Sequence, residues 1–481
     1  MIRNELLLAG DWVPGGGNAL DVRNPADGNL VTIINGASAE QIDQAFERGS
    51  NAVETTGWAA LPPHQRASVL YRAADIMIER TQRLAELQTT ENGKTLKEST
   101  GQVAAAAGIV RYFAGVCETV EAEAPPPRGD YLGVTRYEPC GVVAAITPWN
   151  SPLTMGAQKL APALAAGNAV ILKPSELTSL VSLEMARCFM DAGLPAGLLS
   201  VLPGDRNVGE AITTHARLGM VSFTGGTEAG RAIAAATAPR FIPSILELGG
   251  KSPNIVFADA DLTAAASGVC SGIFGSGGQS CVAGSRLFVE QRVYDEFMEK
   301  LVAEAKKLKV GDPLDDRSNI GPMASEVQRD RIEHFVKIAK CDGGKVTLGG
   351  ERPADPDLRQ GAYYLPTIIE GLDHSSRVCQ QEIFGSVLCV LPFENADQLV
   401  EMANDTVFGL ACGIWTENLK KAWRIAGRVQ AGTVWINTYK QLSIAAPFGG
   451  YKESGAGREK GIQGLRAYQQ IKSVYLGGLG G

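Results

Sequence analysis

Two reactive side chains, a thiol and a carboxylate, lie thirty-four residues apart in the middle of this 481-residue sequence. Cys281 ends the run Gly278-Gln279-Ser280-Cys281, and Glu247 opens the run Glu247-Leu248-Gly249-Gly250. A thiolate can attack a carbonyl carbon, and a carboxylate can take a proton from water. Together the two groups could form a covalent intermediate and then hydrolyse it.

Neither residue is diagnostic alone. A cysteine is usually a small buried hydrophobe, and a glutamate beside glycines is usually a cap or a surface charge. Asn150, in Thr147-Pro148-Trp149-Asn150-Ser151-Pro152, could equally belong to a proline-bracketed turn. A carbonyl under thiol attack becomes an oxyanion, however, and an oxyanion needs fixed hydrogen-bond donors. The Asn150 amide is therefore a candidate donor.

Two further segments have the composition of a nucleotide site. Phe223-Thr224-Gly225-Gly226-Thr227-Glu228-Ala229-Gly230 follows a predicted strand and opens a predicted helix, where glycines let backbone N–H groups approach a pyrophosphate. Its Gly-x-x-x-x-Gly spacing is not the ordinary dinucleotide fingerprint, so a tight turn is an alternative. Leu172-Lys173-Pro174-Ser175-Glu176 follows another strand, where ligands bind in open sheets, although a solvated turn would look the same.

The composition, 45% hydrophobic and 20% charged, is typical of a soluble globular protein, and the length predicts two or more domains. A net charge of −7 offers no basic surface to nucleic acid or to an anionic membrane, so we expect small-molecule partners. No apolar run approaches the roughly 18 residues that span a bilayer, and the N-terminus lacks a secretory pattern. Nine scattered cysteines favour reduced thiols in a cytoplasmic enzyme, and the four histidines suggest no metal site.

From residue 142 onward, the elements that must position these residues alternate between short β-branched runs and amphipathic helices. Strands are predicted at Val142–Ile146, Ala169–Leu172, Leu198–Leu202, Met220–Phe223 and Pro243–Leu248, and helices at Met155–Ala166, Leu177–Ala192, Val208–His215 and Glu228–Thr237. Five strands with four crossovers predict a doubly wound, Rossmann-like nucleotide-binding domain. It takes in residues 140–249, with the mostly helical residues 1–122 packed on it.

A second α/β domain is predicted over residues 250–453. Its strands include Asn254–Phe257 and Val387–Leu391, and its helices include Tyr294–Leu308 and Glu326–Ala339.

Two segments fit neither domain. Residues 123–139 contain the alternating run Tyr131–Glu138, and residues 465–481 contain Ala467–Leu476 and a glycine-rich end, 477–481, that is expected to fray. Both have the pattern of exposed strands without a partner, and such unpaired edges are commonly covered when subunits associate. We therefore expect the two segments to pair across subunits of a homodimer or homotetramer.

The motifs, in this order and spacing, resemble those of the aldehyde dehydrogenase superfamily over essentially the full chain. The C-terminal half adds Gln381-Glu382-Ile383-Phe384-Gly385 and a closing motif, Pro447-Phe448-Gly449-Gly450-Tyr451-Lys452-Glu453-Ser454-Gly455, to which we assign no chemistry. The resemblance implies an aldehyde dehydrogenase-like α/β fold: a Rossmann-like cofactor domain, a second α/β catalytic domain, and a small oligomerisation sheet built from residues 123–139 and 465–481.

The resemblance also implies an activity, the NAD(P)-dependent oxidation of an aldehyde to a carboxylic acid. Cys281 would be the nucleophile, and Asn150 with the Cys281 backbone N–H would stabilise the oxyanion. Glu247 would activate the water that hydrolyses the thioester. No metal is required, because the oxyanion donors replace a Lewis acid.

The cofactor contacts implied by the resemblance come from both halves of the chain. They are Ile146, Thr147, Pro148, Trp149, Lys173, Ser175, Glu176, Phe223, Gly225, Gly226, Thr227, Gly230, Leu248, Gly249, Glu382 and Phe384. Lys173 and Glu176 would bind the adenosine ribose, and Glu382 the nicotinamide ribose. Because a carboxylate at Glu176 would repel a 2′-phosphate, NAD is the preferred cofactor, with NADP possible. Gly226 departs from the serine that is usual in the family.

Two alternatives remain: a CoA-acylating dehydrogenase, and a catalytically silent structural member of the fold. The first generally lacks the glutamate found here at Glu247, and the second would be expected to have lost a reactive residue. The aldehyde itself is not identified. The positions expected to line its tunnel are Ser151, Met155, Gln158, Ser280, Val282, Lys440 and Leu442. Lys440 could suit a distal carboxylate, although an exposed loop lysine is the commoner case.

Overall fold

The computed structural model describes residues 5–478. In the first half, strands β1 to β10 are Glu5–Leu8, Asp11–Pro14, Ala19–Arg23, Leu30–Asn35, Tyr131–Pro139, Val142–Ile146, Ala169–Lys173, Leu199–Val201, Leu218–Thr224 and Ser244–Glu247. Helices α1 to α8 are Ala39–Thr55, Pro63–Glu79, Thr81–Asn92, Leu96–Thr119, Pro152–Ala165, Ser179–Asp191, Arg206–Thr214 and Thr227–Thr237.

In the second half, strands β11 to β21 are Pro253–Val256, Arg286–Glu290, Lys345–Leu348, Thr367–Glu370, Val387–Phe393, Phe408–Gly409, Ala411–Trp415, Thr433–Ile436, Tyr451–Lys452, Gly455–Ala456 and Gln469–Gly477. Helices α9 to α15 are Leu262–Phe274, Tyr294–Ala305, Glu326–Cys341, Arg377–Gln380, Ala396–Asn404, Leu419–Ala426 and Gly461–Arg466. No helix among the described residues is long and apolar enough to cross a bilayer.

The first sheet has the order β2-β1-β8-β7-β6-β9-β10-β20. Strands β6 to β10 are parallel, and the strand order reverses on either side of β6. This is the doubly wound arrangement, in which ligands bind outside the carboxyl ends of the central strands. The five predicted strands and four crossover helices are confirmed, with bounds shifted by a few residues. The helix predicted at Leu177–Ala192 is instead a 3₁₀ turn, Glu176–Thr178, followed by α6.

The N-terminal region is less helical than predicted. Helices α1 to α4 are present, but β1 to β4 occupy much of the first 35 residues. Strands β1 and β2 extend the first sheet by antiparallel pairing, while β3 and β4 form a separate hairpin. Four-residue strands such as β1 and β2 contain too few alternations for a period of two to be recognised.

The second sheet has the order β13-β14-β15-β12-β11-β17-β18, and all its strands are parallel except β13. The predicted strands and helices in this region are present. Arg286, at the start of β12, is fully buried, and its guanidinium donates to the carbonyl oxygens of Lys251, Met402 and Ala403 at 2.8–3.0 Å. These bonds tie the sheet to the segment that follows Glu247.

A two-stranded ribbon stands apart from both sheets. Strands β5 and β21 pair antiparallel over their whole length, from Tyr131 opposite Gly477 to Pro139 opposite Gln469. The prediction of pairing across subunits is therefore wrong, because the end of the chain returns to lie beside β5 in the same protomer. The predicted fraying of residues 477–481 falls mostly outside the described part, in which Gly477 still belongs to β21.

Candidate active site

A cavity of about 550 Å³ lies where the carboxyl ends of β6, β9 and β10 face the second half of the chain. Its lining includes Asn150, which follows β6, Glu247, which ends β10, and Cys281, which precedes β12. The three residues expected to carry the chemistry thus come to one wall from three distant segments.

Asn150 is fixed against the loop that contains the thiol. Its side-chain Nδ2 donates to the carbonyl oxygen of Gln279 at 2.9 Å. Because that carbonyl can only accept, the amide orientation is determined and a second Nδ2–H remains available. The preceding residue is held as well, since Asn92 Nδ2 donates to the Trp149 carbonyl at 3.1 Å. Asn150 is therefore a pre-positioned donor, held by a residue two positions before Cys281.

The loop before Cys281 has an unusual backbone. Ser276, Gly277 and Gly278 all have left-handed φ values, of 59°, 62° and 72°. A side chain at Gly278 would collide with the backbone of Gly385, so the loop packs directly on the residue that follows the Glu382–Phe384 segment.

Cys281 is a half-buried thiol in a locally anionic environment. Burial, followed by the carboxylates of Glu382 and Glu247, raises the pKa of the thiol to about 12, although Lys460 and the Val282 N–H act in the opposite direction. Within residues 5–478 the Cys281 backbone N–H has no hydrogen-bond acceptor. It is therefore free to donate to an oxyanion at the sulfur.

Glu247 is buried and has no hydrogen bond to either carboxylate oxygen from any described residue. Burial and then the nearby Glu459 carboxylate raise its pKa well above the usual value. A side chain at Gly449 would lie 2.8 Å from Glu247 Oε1, so the closing motif leaves room for this carboxylate. The same motif supplies β20, which pairs with β10 at Glu247 opposite Gly455.

A buried polar network lies behind Glu247. Glu459 is 1% exposed and accepts from Lys159 Nζ at 2.6 Å, from Ser222 Oγ at 3.2 Å and from Gln158 Nε2. Tyr468 OH donates to Ser222 Oγ at 2.8 Å. Glu459 and Lys159 were not predicted from the sequence. The available signal is a charged residue at an otherwise apolar position of α5, where Lys159 is 0% exposed.

The glycine segment after β9 forms a second part of the cavity wall. Gly225 N donates to the Glu247 carbonyl at 3.1 Å, which joins the ends of β9 and β10. Helix α8 begins with no side-chain cap, and the N–H groups of residues 227–229 have no hydrogen-bond acceptor among residues 5–478. At Gly226 a side chain would project into open space, whereas at Gly230 it would collide with Leu248. The helix terminus thus has both the room and the donors to hold an anion.

The other expected cofactor residues end the central strands or begin the next turns. Ile146 ends β6 and Lys173 ends β7, with Thr147 and Ser175 just beyond them. Lys173 is buried, and its Nζ lies 3.9 Å from the carboxylate of the exposed Glu176. Among the residues that the structure describes, the buried hydroxyls of Thr147 and Thr224 have no hydrogen-bond partner.

The Glu382–Phe384 segment closes the cavity from the second half of the chain. Arg331 Nη2 donates to the Glu382 carbonyl at 2.9 Å, and Gln328 Nε2 donates to the Phe384 carbonyl at 2.8 Å. The Phe384 ring contacts the Trp149 ring edge to face, with the two centroids 5.2 Å apart. The backbone of Phe384 has a left-handed φ of 62°. Gln328 and Arg331, both cavity residues, were not identified from the sequence.

The predicted residues divide into two groups. Pro148, Trp149, Gly225, Gly226, Leu248, Gly249, Glu382 and Phe384 line the cavity. The second group does not line the cavity and lies at the adjoining strand ends, in the turns after them and at the start of α8: Ile146, Thr147, Lys173, Ser175, Glu176, Phe223, Thr227 and Gly230. Six of the seven expected tunnel residues line the cavity. The exception is Lys440, whose Nζ donates to the carbonyls of Ser271 and Gly275, at 3.3 and 3.4 Å.

Comparison with known proteins gives consistent matches. The family model described as "Aldehyde dehydrogenase family" matches residues 12–474. "Putative aldehyde dehydrogenase DhaS" of Bacillus subtilis (strain 168) is 39% identical over 475 residues, which are 98% of this chain and 95% of that protein.

Solved structures agree in fold. Betaine aldehyde dehydrogenase from Staphylococcus aureus in complex with NAD⁺ has a TM-score of 0.97 at 35% identity, covering 99% of this chain and 95% of that one. Indole-3-acetaldehyde dehydrogenase AldA of P. syringae, in complex with NAD⁺ and IAA, has a TM-score of 0.97 at 36% identity, covering 99% and 97%.

Proposed function

Because the chain belongs to the aldehyde dehydrogenase family, we propose that it oxidises an aldehyde to a carboxylic acid, with NAD as hydride acceptor and water as the second substrate. The observation that carries this proposal is the shared cavity of Cys281, Asn150 and Glu247. Cys281 can attack the carbonyl carbon, Asn150 can stabilise the oxyanion, and Glu247 can activate water.

The covalent step uses Cys281 and two donors. The thiolate attacks the aldehyde carbon, and the oxygen that gains the negative charge is stabilised by the free Nδ2–H of Asn150 and by the Cys281 N–H. NAD, when bound, accepts the hydride that leaves the tetrahedral carbon. A thioester on Cys281 remains.

The hydrolytic step requires Glu247 to lose its own proton first. Because burial and the nearby Glu459 raise the pKa of Glu247, the site favours the neutral acid form of the resting side chain. A carboxylate formed there takes a proton from water, which then attacks the thioester. Since only the deprotonated form acts as the base, hydrolysis is expected to accelerate as the pH rises towards this pKa. The adjacent Lys159–Glu459 network offers polar groups through which the proton can leave.

The cofactor assignment is supported by how well the site suits a dinucleotide. The uncapped start of α8 and the open space at Gly226 suit a pyrophosphate, and Lys173 with Glu176 suits a ribose. Thr147, the other strand-end residues and Glu382 with Phe384 complete the proposed contacts. An exposed carboxylate at Glu176 disfavours a 2′-phosphate, so NAD is preferred and NADP is the weaker substrate.

The proposed domain roles follow the two sheets. Residues 1–122 and 140–249 form the NAD-binding unit, residues 250–453 the catalytic unit, and residues 123–139 and 465–481 the oligomerisation segments. All nine cysteines are free, which supports a reducing compartment such as the cytoplasm.

The Glu247→Gln variant tests the hydrolytic reaction. It should release about one equivalent of NADH per site in a rapid burst and then turn over roughly 10²–10⁴-fold more slowly than the parent, because the base for water is gone. Stopped-flow absorbance at 340 nm and intact-protein mass spectrometry would show the burst and the acyl group on Cys281.

The Cys281→Ala variant is the control, and it should lose both the burst and the turnover. An unchanged steady-state rate in Glu247→Gln would remove Glu247 from the mechanism. Turnover of the parent enzyme that depends on added CoA would favour the acylating alternative. If no aldehyde in a panel yields NADH, the alternative of a catalytically silent structural protein would be favoured.

A further inference from the structure

Lys460 is a cavity residue that the proposed chemistry does not use. It lines the same cavity as Cys281 and Glu247 and is only 7% exposed. Its Nζ lies 5.1 Å from the ring centroid of Phe448, another cavity residue. No residue between 5 and 478 makes a hydrogen bond or an ion pair within 4.0 Å with this ammonium, although the Glu459 and Glu247 side chains attract it from further away. Glu459 is already paired with Lys159. The Lys460 ammonium can therefore still take a direct partner from outside the chain.

The backbone holds Lys460 at a defined place. Its φ of 60° and ψ of 173° lie in a region that is used almost only by glycine, and such strain of about 1–3 kcal/mol is found mainly at functional sites. Phe448 and Glu459 exchange two backbone hydrogen bonds of 2.8 Å, and Gly461 N donates to the Ile444 carbonyl at 2.9 Å. The lysine is thus presented to the cavity by a rigid segment.

The wall beside the thiol on the side of α5 is mostly polar, and its one carboxylate, Glu459, is already bonded to Lys159 and Gln158. Ser151, Thr154 and Gln158 line it together with the aliphatic Leu442 and Ile444. Gln158 Nε2 donates to Glu459, which fixes Oε1 as an acceptor that has no partner among the described residues. An uncharged, purely aliphatic aldehyde would leave the Lys460 ammonium without a direct partner, whereas Gln158 Oε1 needs a hydrogen-bond donor and does not discriminate between the two substrates.

The second lysine of this region has a different environment. Lys440 also has a left-handed φ, of 59°, but its ammonium is directed to backbone carbonyls near the end of α9 and does not line the cavity. Lys440 was the residue predicted from the sequence to suit a distal carboxylate on the substrate. In the cavity, the lysine available to such a carboxylate is Lys460.

We propose, building on the function above, that Lys460 binds a carboxylate of the substrate, and that the enzyme acts on oxo acids with an aldehyde at the other end of a short chain. The reaction then converts the oxo acid, NAD⁺ and water to a dicarboxylate, NADH and protons. A competing role for Lys460 is purely electrostatic, because its charge also lowers the pKa values of Cys281 and Glu247.

Matched pairs of aldehydes separate the two roles. In the parent enzyme, kcat/KM for 4-oxobutanoate and 5-oxopentanoate should exceed that for butanal and pentanal by about tenfold or more, equivalent to about 1.4 kcal/mol. The cationic 4-aminobutanal should be the poorest substrate. Because loss of the charge also affects Cys281 and Glu247, the readout is a ratio: Lys460→Met should lower kcat/KM for the oxo acids about tenfold more than kcat/KM for the neutral aldehydes. Lys460→Arg should retain the preference.

Lys440→Met is the control, and it should leave the ratio of oxo acid to neutral aldehyde unchanged. A readout without turnover is protection of Cys281 from iodoacetamide by pentanedioate, which should be present in the parent and lost in Lys460→Met. The proposal would be overturned if Lys460→Met lowered kcat/KM equally for all aldehydes, or if the parent enzyme preferred neutral or cationic aldehydes. Either result would leave the proposed aldehyde oxidation intact. Absence of NADH from every aldehyde would instead refute the proposed function itself, and this inference with it.

Discussion

Burial sets the resting protonation state of both reactive side chains. The pKa of Cys281 is raised to about 12 and that of Glu247 is raised well above its usual value. In the free protein burial therefore favours the neutral thiol of Cys281 and the neutral acid form of Glu247. The thiol becomes a strong nucleophile only after a positive charge approaches it or its neighbouring carboxylates are neutralised.

The pH dependence of Cys281 alkylation tests this resting state. Because the thiolate fraction of a group with a raised pKa keeps growing up to that pKa, the rate of reaction with iodoacetamide should rise about tenfold per pH unit from pH 7 to 10 without levelling off. At pH 8, saturating NAD⁺, whose nicotinamide ring is positively charged, should accelerate alkylation, and NADH should not. Peptide mass spectrometry would follow the modification of Cys281.

The exposed Cys341 is a second alkylation site that must be separated from the first. The Cys281→Ala variant supplies its background rate. A plateau near pH 8 in the free enzyme would contradict a buried, protonated thiol.

The site residues predicted from the sequence stand in motifs, whereas the cavity residues contributed by other segments were not predicted. Cys281, Asn150 and Glu247 were predicted because each lies in a run whose composition is itself informative. Lys460 and Glu459 lie in a segment without such a run, and they reach the cavity only because the chain returns to it. Charge at Lys440 and at Lys460 looks the same in the sequence, and only the direction of the two side chains distinguishes them.

At the scale of elements, the buried ion pair of Lys159 and Glu459 joins helix α5 to the segment before α15. Both side chains are essentially inaccessible, 0% and 1% exposed, and their atoms are 2.6 Å apart. Lys159→Met should destabilise the protein by about 3–5 kcal/mol, because it leaves the Glu459 charge buried and unpaired. Thermal unfolding monitored by calorimetry would measure the loss.

Two comparisons make this prediction specific. The double variant Lys159→Met, Glu459→Gln should recover part of the loss, since no uncompensated charge remains. Arg206→Met breaks an exposed pair with Glu210, 84% and 57% exposed, and should change stability by less than about 1 kcal/mol. Equal effects of Lys159→Met and Arg206→Met would contradict the role assigned to the buried pair.

Sequence patterns predicted the central strands better than the peripheral ones for a physical reason. Strands β6 and β7 are buried along their whole length, so they appear as continuous apolar runs between turn residues. Strands β1 and β2 are short, and β20 has only two residues, so their pairing depends on a neighbour that is distant in sequence. Such strands are determined by tertiary contacts and carry little local signal.

At the scale of the whole molecule, the ribbon of β5 and β21 leaves apolar side chains in solvent. Ile471 and Tyr475 lie on one face of β21 and are 69% and 68% exposed. A two-stranded ribbon is marginally stable alone, and its free edges invite pairing. The protein should therefore be a homodimer or homotetramer, as measured by light scattering at micromolar concentration.

The double variant Ile471→Ser, Tyr475→Ser should shift the protein towards smaller species, because it removes the apolar surface that association would bury. Val327→Ser changes a comparably exposed residue on α11 and should leave the mass unchanged. A monomeric parent protein would contradict this use of the ribbon.

The returning C-terminal segment also fixes when, during synthesis, the protein can become active. Glu247 gains its second strand neighbour from Gly455, its buried surroundings from Glu459, and the hydroxyl chain behind it from Tyr468. A nascent chain that already contains Cys281 and the whole glycine segment still lacks these residues. Translation therefore delivers Cys281 and Glu247 long before the residues that surround Glu247, and a ribosome stalled between residues 281 and 455 would leave a chain in which this carboxylate lacks its buried setting.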